Sequence, residues 1–161
     1  MTILAVDPGA SSGWYIPGAI VYPLPYGTIK LANKDAAQSI ENVVRAAVTA
    51  GARVCVIEGP VPMGPKAGWR TMYGLGVARG RWEQEARRQG LEVVEVNPRT
   101  WQAACIGGRC KREEGILLYR ARAKSIVKSA APIQADAAAA VCIGEWWERE
   151  LALAVRRGKG R

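Results

Sequence analysis

Two apolar, β-branched runs in this chain each end on an acid followed by glycine or proline. Ile3-Leu4-Ala5-Val6 leads into Asp7-Pro8-Gly9, and Val54-Cys55-Val56-Ile57 leads into Glu58-Gly59-Pro60. Such runs read as parallel strands buried on both faces, whose ends a single sheet would bring together. A third acid, Asp136, opens an alanine-rich helical run. Carboxylates gathered in one place repel one another unless a hard cation neutralises them, and Mg²⁺ prefers oxygen-only ligation of this kind.

The chain has 161 residues, which favours one domain able to bury its own core. Lys and Arg number 23 against 14 Asp and Glu, a formal charge of +9 that points to a polyanionic partner. Nucleic acid is the first candidate and an anionic membrane surface the second. No apolar run approaches the roughly 20 residues of a membrane span, and no signal-peptide layout precedes the first strand, so the expected location is the cytoplasm. Histidine is absent, which excludes Ser-His-Asp and Cys-His catalysis and every zinc site that needs histidine. Of the four cysteines, Cys55 and Cys142 sit in apolar runs as small core residues, and Cys105 and Cys110 lack Cys-x-x-Cys spacing.

Residues 2–6 read as the first strand, with short runs at Ser12–Ile16, Ile20–Leu24 and Thr28–Leu31 as an antiparallel meander. Asp35 is placed to cap a helix from Ala36 to about Ala50, ended by Gly51. After the strand at 53–58, the prolines and glycines of 59–68 break both periodicities, and a loop there would touch substrate. A helix over about 71–89 and a strand over 91–96 follow, and Asn97-Pro98 opens a short helix. Two more helices are expected, one reaching Ser129 and one over about 134–155, with 156–161 as a basic, disordered tail. The expected fold is α/β: a five-stranded mixed sheet, its first three strands antiparallel, flanked by helices on both faces, with the first and fourth strands central.

These motifs resemble the RuvC-type Holliday junction resolvases of the ribonuclease H-like fold, along most of the chain (1–155). Residues 3–9 with Gly13 look like the family's first-strand signature, and Ile57-Glu58 like its fourth-strand glutamate. Residues 75–80, Leu-Gly-Val-Ala-Arg-Gly, are similar to its helix motif, and Ile133-Gln134-Ala135-Asp136 to the start of its last catalytic helix. The resemblance implies two Mg²⁺ or Mn²⁺ ions, with Asp7 bridging them and Glu58 and Asp136 each holding one. A fourth carboxylate is expected one helical turn after Asp136, where this chain has Ala139. Residues i and i+3 share a helix face, so position 139 would look into the site, and a methyl group cannot ligate metal. Either the natural chain has lost a ligand or Ala139 is an inactivating substitution. The intact neighbouring motifs favour the second.

The same resemblance suggests phosphate contacts by Arg70, Arg79, Arg99, Arg109, Lys111 and Arg112, though a basic helix face is also the usual solvated surface. It suggests Val61, Met63 or Trp69 as the wedge that opens a junction, and a homodimer joined through the 71–89 helix. Trp146 and Trp147 could stack on bases, but helical spacing makes at least one of them core. The expected activity is paired, symmetric nicking of four-way DNA junctions by metal-dependent hydrolysis, with no membrane and no nucleotide cofactor involved. Departures from the bacterial pattern fit a phage or other mobile-element origin. The alternatives are a junction-binding protein without catalysis, for which Ala139 argues, and a relative of the actin-like sugar kinases and ATPases, which open with a similar strand and Asp-Gly turn.

Overall fold

The computed structural model describes residues 2–18, 25–60, 68–107 and 111–158; of Arg112 and Gly158 only the backbone is included. Ten elements follow in the order β1 (Ile3–Asp7), β2 (Ser11–Tyr15), β3 (Tyr26–Lys30), α1 (Ala36–Thr49), β4 (Val54–Glu58), α2 (Trp69–Arg88), β5 (Glu92–Val96), α3 (Pro98–Ile106), α4 (Arg112–Val127) and α5 (Ala135–Gly158). They form the expected five-stranded mixed sheet, in the order β3-β2-β1-β4-β5. β1 pairs antiparallel with β2, and β2 with β3, whereas β1, β4 and β5 run parallel. The Ile20–Leu24 run lies outside the described residues.

Side-chain alternation along β1 and β4 divides the core into two layers. Leu4, Val6, Cys55 and Ile57 face α1 and α2, where Ile40, Val44, Ala47, Trp82 and Ala86 are buried. Ile3, Ala5, Val54 and Val56 face the other way, onto α5 and Trp101 of α3. α5 is enclosed between the sheet and α4, so Ala137, Ala138, Ala140, Val141, Cys142 and Ile143 are all buried. Small side chains let it lie close to the strands. At Gly144 an added Cβ would come within 2.7 Å of the Tyr15 ring.

Several local expectations need correcting. Asp35 occupies the cap position of α1, but its side chain makes no capping hydrogen bond. α2 starts at Trp69, two residues ahead of the expected Thr71, with extended Gly68 before it. α5 continues through Arg156 and Arg157 to Gly158 instead of giving way to a disordered tail after Val155. Alanine, leucine and arginine all favour helix, and this outweighs the repulsion between neighbouring arginines. The cap of α3 is as expected: the Asn97 Oδ1 accepts a hydrogen bond from the Arg99 amide at 2.9 Å. Cys55 and Cys142 are buried, and Trp146 and Trp147 pack against the α5 side of the core. Among the described residues no helix is long and apolar enough to cross a membrane.

Candidate active site

Asp7 and Glu58 are the last residues of neighbouring parallel strands, one position beyond the paired residues Val6 and Ile57. Hydrogen-bonded strands lie about 4.8 Å apart, so strand register alone sets the two acids side by side. Asp7 shares a strand face with Ile3 and Ala5, and Glu58 with Val54 and Val56, so both carboxylates project toward α5. The turn beyond Asp7 is fixed by Ser12, whose fully buried hydroxyl donates to the Gly9 carbonyl oxygen at 3.0 Å and accepts from the Gly9 amide at 3.2 Å.

Asp136 arrives from the first turn of α5. Its position depends on Gly13 of β2, the cross-strand partner of Asp7. A Cβ on Gly13 would lie 1.8 Å from the Asp136 carbonyl oxygen, so only glycine allows the start of α5 to settle there. Asp7, Glu58, Asp136 and Ala139 line one cavity of about 950 Å³, together with Arg99, Trp101, Gln102, Lys111 and Tyr119.

Burial raises the Asp7 carboxyl well above its ordinary value, and the charges of Glu58 and Asp136 raise it further. Glu58 is raised by burial from 4.5 to about 7, against the opposing hydrogen bond from Trp101. The Trp101 Nε1 donates that bond to Glu58 Oε2 at 2.9 Å. Asp7, Glu58 and Asp136, three carboxylates lining one half-enclosed cavity, are hard-oxygen donors of the kind a divalent cation prefers. As arranged, however, no three His, Cys, Asp or Glu side chains among the described residues converge closely enough to grip one ion. The donor chemistry of the cavity nonetheless fits a divalent cation, and Asp7, Glu58 and Asp136 are the side chains that would hold it.

The expected basic residues separate in space. Arg99 and Lys111 line the acid cavity. Arg79 instead lines a smaller pocket of about 210 Å³ formed by Pro8, Glu58, Gly59, Pro60 and the start of α2. It pairs with Glu95 and Glu83, each at 2.5 Å. Partial burial opposes the Arg79 charge, and these hydrogen-bonded carboxylates outweigh it and raise its pKa. Its charge is thus already matched within the protein by Glu83 and Glu95. Arg70 stacks over the Trp69 ring at 5.7 Å, and Trp69 and Tyr73 stand exposed on α2. Val61, Met63, Arg109 and the Arg112 side chain lie outside the described residues.

Trp101 was not among the residues singled out by sequence. The available signal was Asn97-Pro98, which opens a helix directly after the strand that pairs with β4 and so returns its first turns toward Glu58.

No family model and no curated protein matches the sequence. Solved structures do match. A structure of T. thermophilus RuvC in complex with Holliday junction substrate aligns at 20% identity and TM-score 0.67, over 89% of this chain and 90% of that one. The fold is that of RuvC. A second structure, Thermus thermophilus RuvC, aligns at 17% identity and TM-score 0.66, over 93% of this chain and 96% of that one. The ribonuclease H-like architecture expected from the motifs is therefore the one observed.

Proposed function

We propose that this protein is a metal-dependent, structure-selective DNA endonuclease acting on four-way junctions, with Ala139 at the position where a fourth carboxylate completes the cage. The observation that carries this reading is one cavity lined by Asp7, Glu58 and Asp136 together with Arg99 and Lys111. Carboxylates alone would repel a phosphodiester. With cationic side chains at the rim they form a site that both attracts the DNA backbone and binds cations.

In this reading Asp7, Glu58 and Asp136 hold Mg²⁺ or Mn²⁺, a pair of ions when the cage is complete. Bound there, the metal would supply Lewis-acid polarisation of a phosphodiester. Arg99 and Lys111 neutralise and orient the phosphate at the cavity mouth. Trp69 and Tyr73, exposed at the start of α2, offer aromatic faces to unpaired bases. A homodimer through α2 would present two such sites to opposing strands, as paired symmetric nicks require.

A second reading is a junction-binding protein without cleavage. Ala139 favours it, because a methyl group lines the cavity where a ligand belongs.

The test uses synthetic four-way junctions. The chain as it stands should bind a junction more tightly than linear duplex of the same sequence and leave it essentially uncut in Mg²⁺. Ala139→Asp should produce symmetric nicks in opposing strands, and adding Asp7→Asn should abolish them. If Ala139→Asp folds and binds junctions but stays inert in Mg²⁺ and Mn²⁺, the binding-protein reading replaces the nuclease. Equal affinity for junction and duplex in competition would sink both.

A further inference from the structure

Trp101 lies in the second turn of α3, 1% exposed, yet its single polar atom is aimed at the acid cluster and not into the core. The geometry points to Trp101 as a positioning residue for Glu58: its indole N–H holds Oε2 and so leaves Oε1 as the oxygen available to a cation in the cavity. This inference rests on the metal-site reading above.

Three observations support it. The indole nitrogen is a donor and never an acceptor, so it cannot ligate a cation itself and can only restrain the carboxylate. Its bond to Oε2 is 2.9 Å, an unstrained length. The ring is held from two sides. Asn97 caps the helix that carries it, and Tyr119 of α4 packs against the ring at 5.2 Å between centroids. Glu58 ends β4 opposite Val96, the last residue of β5, and α3 starts two residues later. Donor and acceptor therefore sit on adjoining, rigid parts of the sheet edge. A long carboxylate side chain would otherwise sample several rotamers, and a partner that fixes a ligand's orientation improves metal affinity.

The test measures Mn²⁺ binding by calorimetry on the full chain, compared with Trp101→Phe, Glu58→Gln and Asp7→Asn. Phenylalanine keeps an aromatic ring beside Tyr119 and removes the donor. Trp101→Phe should lower the metal-free melting temperature, as any loss of buried volume does, and in addition weaken Mn²⁺ binding about 10- to 100-fold. A purely structural Trp101 predicts the lower melting temperature with unchanged affinity.

If the parent chain binds Mn²⁺, Asp7→Asn weakens it, and Trp101→Phe stays within about twofold, the positioning role is overturned while the metal-site reading stands. If the parent chain binds no Mn²⁺, both fall. Should Trp101→Phe fail to fold, ¹H–¹⁵N NMR of Glu58→Gln decides. One of the six indole N–H resonances should shift strongly when its charged acceptor becomes an amide. No shift in any of them would overturn the proposal.

Discussion

Gly13 and Asp136 touch through their backbones, closely enough that a methyl group on the Gly13 Cα would sit 1.8 Å from the Asp136 carbonyl oxygen. Gly13 is also the strand partner of Asp7. The one residue that lets α5 approach the sheet thus lies beside the acid that α5 must meet.

Gly13→Ala should therefore act on stability and site together. The obstruction is main chain, which cannot rotate aside, so the start of α5 must shift at a cost of about 2–3 kcal/mol. Calorimetry should show a fall in Tm of roughly 5–10 °C. The gain in Tm on adding Mn²⁺ should shrink as well. A normal Tm would mean that α5 is not seated on β2 in this way.

The pH dependence follows from Glu58 and Asp7, both raised in the folded state. A raised carboxyl binds more protons folded than unfolded, so its contribution is greatest at low pH and is lost as pH climbs through the shifted value. For Glu58 that window runs from about 4.5 to about 7. Metal-free protein should lose stability across it, and saturating Mg²⁺ should flatten or reverse the slope. Thermal melts at pH 5, 6, 7 and 8, with and without Mg²⁺, check this. Identical slopes in the two series would argue against a metal at these carboxylates.

Proton release gives an independent reading of the same site. Metal binding requires the carboxylates ionised, so protons should be expelled near pH 6 and few at pH 8. Calorimetry in buffers of different ionisation enthalpy counts them. Asp7→Asn should abolish most of the release.

Arg99, Lys111 and Arg79 should differ in their effect on DNA binding. Each lost phosphate contact lowers the slope of log K against log salt by about 1, so Arg99→Gln and Lys111→Gln should each do so on junction DNA. Arg79→Gln should leave that slope unchanged, because Glu83 and Glu95 already occupy its guanidinium. It should instead lower thermal stability, since Glu95 would lose its partner beside Gly59. A reduced slope for Arg79→Gln would restore it as a phosphate contact.

Local sequence determined the elements and their order. The apolar runs ending at Asp7 and Glu58, the Asn97-Pro98 helix opening and the alanine run after Asp136 each follow rules that operate within a few residues, and the sheet follows from them. The resemblance to the resolvases also groups Asp7, Glu58 and Asp136, which line one cavity in the fold. Local rules do not fix how an uncapped or charged helix end behaves, which is why Asp35 does not cap and α5 runs past Val155.

Pairings between distant segments were settled only by tertiary structure. Trp101 and Glu58 lie 43 residues apart in the chain, and no periodicity connects them. Arg79 has the residue type of a DNA contact, and only the approach of β5 to α2 supplies the Glu95 carboxylate that neutralises it. A sequence specifies which groups can donate, accept or carry charge. Which of them remain available to a ligand depends on what the folded chain places within about 3 Å of each.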